Sequence, residues 1–393
     1  MLECLTNDQR RVMQIVLYRR TLSLTSGGGQ LIRMQAEGLR SAGEQVRIAC
    51  QRGGLRFMLR SGMRASKGTV ATLGRLADSP NYLLVDHGME VPQADLVFVH
   101  NVMIEAVRHI DRPDWVKRAA EEEAFFSRLA PHVKVVANSN LVRDALLKHF
   151  SLRPERVDVQ YPGFDSARFH APVRGGQHTP AESSKAEVNA GRLRRQARAD
   201  IAVSEHEPLI GFVTSGEFGK RGLDIFLDAA ERIASVRPDL RFLVVGGKRL
   251  PEQAARHRLV GTGRVTYRPK SLRPQRWFAA LDIFLYPALF EEFGMVVSEA
   301  QASGLPVLTS RRVGAAECLA PAYEPWLIDA PDGAAFAAKA LALLEDDDAR
   351  AELSRAGMAS IPAYDREHYV QATVETIRQC SREKVRSGGS GTG

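Results

Sequence analysis

The sequence predicts an α/β protein made of two doubly wound domains, and three observations carry that expectation. Short apolar runs recur along both halves, at residues 12–18, 45–50, 82–86, 96–100, 133–137, 209–214, 242–246, 265–267 and 283–286. Stretches with helical apolar spacing separate them, at a repeat of about 30 residues in the second half, as in parallel sheets covered by helices. Residues 171–188 are polar and rich in Gly, Pro, Ser and Ala, as an interdomain linker or insertion is. The expected division is therefore 1–170, a linker or insertion at 171–188, and 189–363, followed by a terminal helix at 364–385.

The 393 residues suffice for two domains of ordinary size, and 25% charged with 44% apolar residues is the composition of a soluble globular protein. No apolar run approaches the ~20 residues of a membrane span. The first eleven residues are polar and lack the apolar stretch of a secretory signal. Cys4, Cys50, Cys318 and Cys380 have no metal or redox spacing and read as reduced thiols of a cytoplasmic protein. Residues 387–393 read as a flexible tail.

Net charge is +8, but residues 1–75 hold thirteen Lys or Arg against four Asp or Glu, so the excess sits at the amino-terminal end. There Arg52, Arg56, Arg60 and Arg64 recur every four residues among Leu55, Phe57, Met58, Leu59 and Met63. On a helix this makes a basic stripe beside an apolar surface, suited to an anionic membrane or glycolipid; a solvated helix face or a loop fits the same residues. No nucleic-acid-binding module accompanies the charge.

The first strand, 12–18, leads through Ser23 and Ser26 into Gly27, Gly28 and Gly29, then a helix at 30–42 with Ala36, Leu39 and Gly43 inward. This βαβ start suits a doubly wound domain, but the dinucleotide fingerprint is incomplete and no acid follows the second strand, which argues against NAD. A helical stretch carries Glu121, Glu122, Glu123, Phe125 and Phe126; the next helix begins near residue 140 with Asn138 or Ser139 as N-cap. His100 closes one strand and His87 the preceding one, so His100, with His87 as second choice, is the candidate cleft histidine. Residues 192–200 form a short basic helix.

In the second half, Glu217, Phe218, Gly219, Lys220, Arg221 and Gly222 follow a buried strand. A basic pair at a glycine turn is placed to neutralise phosphates. Glu291 and Glu299 stand eight residues apart, with Glu292, Phe293 and Gly294 leading into a helix at about 294–303 and a short strand at 306–310. Helix starts with free backbone N–H groups attract phosphate, and open α/β sheets bind ligands where strands give way to helices. Two carboxylates with amides between them suit a ligand with hydroxyls at both ends and phosphates in its middle. Asp346, Asp347 and Asp348 read as solvated surface rather than a metal site.

These residues resemble a family. Glu291, Gly294 and Glu299, followed by Ala300, Gly304, Pro306 and Val307, are similar to the carboxy-terminal pattern of retaining family-four glycosyltransferases of the GT-B fold, in which two Rossmann-like domains face a central cleft. Residues 138–144 and 157–169, with Tyr161, Pro162 and Gly163, resemble the family's first-domain segments. The Glu217–Gly222 turn is closest to that of glucosyltransferases of the lipopolysaccharide core. The resemblance implies an acceptor-side first domain, a nucleotide-sugar-binding second domain, and a terminal helix crossing back onto the first. It implies that Glu291 contacts the donor sugar and Glu299 the ribose, that Gly294, Met295 and Val296 give amides to the diphosphate, that Lys220 and Arg221 neutralise it, that His100 touches the sugar, and that Gly28 and Gly29 line the site. Glu292 stands where the family has Gly, so either Glu291 or Glu292 can face the sugar, with spacing favouring Glu291.

The expected activity is transfer of a hexose from a nucleotide-sugar, a UDP-sugar by preference, to a glycan or glycolipid acceptor at the cytoplasmic membrane face. The resemblance implies retention and attack from the leaving-group face, with no metal or other cofactor. A nucleotide-sugar epimerase of the same architecture and a non-catalytic nucleotide-sugar-binding subunit are the alternatives. Base recognition is expected near residues 267–270.

Overall fold

A computed structural model describes residues 13–23, 26–171 and 185–389. Cys4, the polar start, residue 12 of the first strand, most of the 171–188 linker and residues 390–393 lie outside the described residues, as does the side chain of Arg60.

The first sheet has seven strands: β1 (Gln14–Tyr18), β2 (Gln45–Cys50), β3 (Ala65–Lys67), β4 (Tyr82–Asp86), β5 (Leu96–Val99), β6 (Lys134–Ala137) and β7 (Val157–Val159). All pairs are parallel and the spatial order is β3-β2-β1-β4-β5-β6-β7. Alternate side chains go to opposite faces. Val16, Leu84, Val97 and Val135 pack on one side, and Leu17, Leu83, Val85 and Leu96 on the other. A strand buried on both faces needs apolar residues throughout, which is why these runs stand out in the sequence.

The second sheet is also parallel, with β8 (Leu209–Val213), β9 (Arg241–Val245), β10 (Val265–Arg268), β11 (Ile283–Tyr286) and β12 (Val307–Thr309) in the order β10-β9-β8-β11-β12. Each sheet has one place where chain order reverses, between β1 and β4 and between β8 and β11. Ligands bind outside the carboxyl ends of strands at such switch points. The fold thus supplies one candidate crevice per sheet.

The terminal helix Arg366–Gly389 packs on the first sheet, burying Ile377 and Cys380 among Ile32, Leu83 and Val136. Gln35 Nε2 donates to the Tyr369 hydroxyl at 2.7 Å, and Lys384 pairs with Asp95 at 2.8 Å. The basic helix of the linker region runs Lys185–Ala199 and is structural. Arg194 donates to the carbonyls of Ala279, Ala280 and Leu281 at 3.0–3.2 Å, satisfying the end of the helix Gln275–Ala280, and pairs with Asp282 at 2.8 Å.

Two expectations are corrected here. The glycine triplet is not a loop: the helix spans Gly27–Ser41, with Ser26 as N-cap accepting from Gly29 N at 3.2 Å. Glycine is required at 29 by close approach, since a Cβ there would overlap the Ser23 carbonyl. The basic stripe is broken as well, because the helix covers only Gly54–Ser61, between Gly53 at φ 82° and Gly62 at φ 70°. Arg52 and Arg64 therefore lie outside it, exposed, while Phe57 and Met63 enter the core and Leu55 and Leu59 stay out at 67% and 78% exposure. No helix among the described residues is long and apolar enough to cross a membrane.

Candidate active site

Both switch points open onto one cleft of about 690 Å³, of the size that holds small-molecule ligands. The first sheet contributes Arg19 after β1, Gly27 and Gly28 at the helix start, and His100 after β5. The second contributes Thr214 and Ser215 after β8, and Tyr286 with Glu291, Gly294 and Glu299 after β11.

The loop after β11 is pinned by the chain after β12. Glu291 N donates to Arg312 O at 2.9 Å, Gly314 N to Glu291 O at 2.9 Å, and Ala315 N to Phe293 O at 2.7 Å. Gly294 then turns the chain at φ 90° into the helix Met295–Ala302. That left-handed conformation is open to glycine at little cost. Met295 and Val296 form the first helical turn and line the cleft.

Glu291 is 8% exposed, and its Oε2 lies 3.2 Å from Arg221 Nε and accepts from the Tyr286 hydroxyl at 3.2 Å. Burial pushes its pKa up, but Arg221 and Lys220 outweigh burial and hold it below the usual carboxylate range. Arg221 also donates to Gly216 O at 2.9 Å. Its strand-to-helix turn ends at Gly222, φ 74°, where a Cβ would overlap the Pro287 carbonyl.

Lys220 departs from the expected pairing with Arg221. It is 7% exposed, ion-paired with Glu292, and seated against the rings of Trp115 and Phe290 at 6.0 and 5.8 Å. Consecutive residues in the turn point different ways, so Arg221 reaches the cleft while Lys220 goes to the interdomain wall. Glu292, 2% exposed, accepts from Val102 N at 3.3 Å there. Glu291 is thus the carboxylate grouped with Arg221, and Glu292 the one bridging to the first sheet.

Glu299 is half-buried one turn inside the helix, and burial raises its pKa to about 7 against the pull of Arg168. His100 is half-buried at the cleft and His87 is 3% exposed behind it. Burial, then Arg19, lowers His100 to about 3. Gly28 lies beneath the Arg19 guanidinium, so a side chain there would collide with it; Gly29 is buried and does not line the cleft. Asp346 caps the helix Asp347–Ser360, accepting from Ala349 N at 2.8 Å. Among the described residues no cluster of three or more His, Cys, Asp or Glu is arranged to hold a metal.

Cleft residues to which the sequence reading gave no role at the site include Arg19, Arg33, Asn101, Arg168 and Thr214. Arg19 had a usable signal, since it directly follows the first strand of a doubly wound sheet. Arg33 had none, six residues into a helix.

Comparison with known proteins finds a family resemblance in the second domain. Residues 207–346 match the family model described as Glycosyl transferases group 1. The match makes this stretch, 140 of the 393 residues, similar to that family. Among similar proteins is the D-inositol 3-phosphate glycosyltransferase of Streptomyces coelicolor, 29% identical over 217 residues, 52% of this chain and 46% of the relative. Another, from Corynebacterium kroppenstedtii, is 28% identical over 253 residues, 61% of this chain and 51% of the relative. The chain spans about half the length of the curated relatives it matches. The architecture of the two domains together is GT-B. It matches WaaG, a glycosyltransferase involved in lipopolysaccharide biosynthesis, at TM-score 0.70 and 19% identity over 92% of this chain and 99% of that one. Anabaena HepE, solved in complex with UDP, matches at TM-score 0.72 and 18% identity over 93% of this chain and 100% of that one.

Proposed function

We propose that this protein transfers a hexose from a nucleotide-diphosphate sugar, a UDP-sugar by preference, to a glycan or glycolipid acceptor, with retention and without a metal. The observation that carries the reading is the placement of Arg221, Glu291 and the first turn of Met295–Ala302 at one switch point, facing His100 and Arg19 at the other across one cleft. The solved relative HepE in complex with UDP supports a uridine donor.

On this reading Arg221 and the amides of Met295 and Val296 hold the diphosphate, Glu299 the ribose, and Glu291 and His100 the sugar hydroxyls. The bond between C1 and the β-phosphate oxygen breaks as the acceptor oxygen attacks from the same face, and the acceptor's proton passes to that phosphate oxygen. Preorganised donors aimed at the developing phosphate charge lower the barrier, each by about 3–4 kcal/mol.

Charge on the cleft wall points to the acceptor. Among the described lining residues, the first domain gives Arg19, Arg33 and Arg168 and no carboxylate; Glu291, Glu292 and Glu299 all come from the second. An acceptor bearing a negative group near its reacting hydroxyl suits that wall, and the D-inositol 3-phosphate in the relatives' names is one such group. Exposed Leu55 and Leu59 beside exposed Arg56 support peripheral contact with an anionic cytoplasmic membrane face.

The test is incubation with UDP-glucose, GDP-mannose and ADP-glucose, each with and without a glycan or inositol phosphate acceptor, read by NMR. Transfer with the donor's anomeric configuration kept is expected. An epimerised sugar without acceptor would establish the epimerase instead, and binding without turnover on any acceptor the non-catalytic subunit.

A further inference from the structure

His87 and His100 end adjacent strands of the first sheet, and their rings meet. His87 Nδ1 lies 3.0 Å from His100 Nε2, with ring centroids 5.3 Å apart and planes 10° apart. The His87 ring also stacks on Phe98, with centroids 4.9 Å apart and planes at 11°. His87 is 3% exposed, and its Nε2 is buried without a hydrogen-bond partner. His100 lines the cleft, and its Nδ1 has no protein hydrogen-bond partner among the described residues. Arg19 Nη1 donates to the His87 carbonyl at 3.3 Å, so a fixed cation stands beside the pair.

Burial, first, and the neighbouring cation hold both rings neutral. Two neutral rings carry two protons on four nitrogens, and one proton must occupy the bridge. If His100 Nε2 supplies it, the second proton sits on His87 Nε2, as a buried N–H with no acceptor. If His87 Nδ1 supplies it, His87 Nε2 is a bare ring nitrogen and His100 carries its proton on Nδ1. Buried N–H groups without a partner are the rarest unsatisfied groups, so the second arrangement costs less. The hydrogen bond made by one ring nitrogen sets the state of the other.

We propose that His87 is a positioning residue: it donates Nδ1–H to His100 Nε2 and thereby fixes His100 with its proton on Nδ1, as a neutral donor into the cleft. The group it serves, a hydroxyl oxygen of the donor sugar, rests on the glycosyltransfer reading above. His100 in this state cannot act as a general base through Nδ1, which leaves the acceptor's proton to the leaving phosphate.

The experiment is long-range proton–nitrogen correlation on the full chain labelled with nitrogen-15 histidine, for the wild type, His87→Asn and His87→Gln, from pH 5.5 to 8. The expected wild-type result is a protonated Nδ1 and a bare Nε2 at His100, unchanged over that range. His87→Asn places an amide nitrogen near the lost Nδ1 and should keep the pattern. His87→Gln does not, and His100 should move to the Nε2–H form that free histidine prefers. A protonated Nε2 at His100 in the wild type, a ring that titrates in this range, or identical spectra for the two variants overturns the proposal. Calorimetry with UDP on the same proteins separates the two readings: no UDP binding removes the sugar as ligand, while the spectra decide the histidine pair by themselves.

Discussion

Arg221 and Glu291 share a single phenol: Tyr286 donates to Glu291 at 3.2 Å and accepts from Arg221 Nε at 3.2 Å, while the two charges lie 3.2 Å apart. The proposed diphosphate and sugar contacts are therefore one electrostatic unit rather than two independent groups.

That coupling separates the effects of two substitutions. Glu291→Gln keeps the volume and leaves Arg221 cationic, so UDP affinity should stay nearly unchanged while transfer falls by about 10²–10³, the usual cost of a lost transition-state contact. Arg221→Ala should weaken UDP binding and also strand a buried carboxylate, lowering stability by on the order of 3 kcal/mol. The double variant should recover most of that stability, because the stranded charge is gone. Calorimetry with UDP and urea unfolding of all three proteins check this; equal, small effects from both single variants contradict it.

Glu299 gives a pH dependence. With its pKa near 7 in the folded protein and about 4.3 unfolded, the folded state binds its proton more tightly. Stability from this group is present below pH ~4 and is lost as pH rises through 7. The ionised form is the better ribose acceptor, so UDP affinity should rise across the same interval in which stability falls. Glu299→Gln should flatten both dependences and raise the melting temperature at pH 8 more than at pH 5.5. A pH profile of UDP binding unaffected by this change counts against the ribose assignment.

Glu317 ties the domains. From the segment Gly314–Cys318 of the second domain, it accepts from Asn140 N at 2.8 Å and Leu141 N at 2.7 Å, capping the helix Asn140–Phe150 of the first. Such a cap is worth about 1 kcal/mol. Glu317→Ala should open the cleft, raising the radius of gyration in X-ray scattering and speeding amide exchange at 140–143. Unchanged scattering and exchange would mean the domains are held by their other contacts, such as Ser139 Oγ to Glu292 O at 2.6 Å.

The exposed face of Gly54–Ser61 predicts salt-sensitive sedimentation with vesicles of anionic phospholipid. Leu55→Ser, Leu59→Ser and Arg56→Glu together should abolish it with little change in melting temperature, because all three side chains are solvent-exposed. Retained sedimentation of the triple variant rules this contact out.

The sequence revealed strands buried on both faces most readily. β8 and β11 are uninterrupted apolar runs, β9 is one after Arg241, and the segment Glu291–Glu299 advertised its own turn through Gly294. β3 and the helix Val70–Ala77 were missed, being a three-residue edge strand with two exposed positions and an eight-residue helix. The triplet at Gly27 suggested a loop because glycine is a poor helix former, whereas the cap from Ser26 and contact with Ser23 override that propensity. Lys220 was beyond reach for another reason. Its partner Glu292 is 72 residues away and its apolar seat includes Trp115 from the other domain, so no local pattern records where it points.

The most direct measurement is calorimetric titration of the wild type, Arg221→Ala and Glu299→Ala with UDP, GDP and ADP. The account predicts one site, a preference for UDP, and at least tenfold weaker binding in each variant. Wild-type protein that binds none of the three nucleotides, or variants that bind as tightly as the wild type, would contradict a nucleotide-sugar lodged between Arg221 and Glu299.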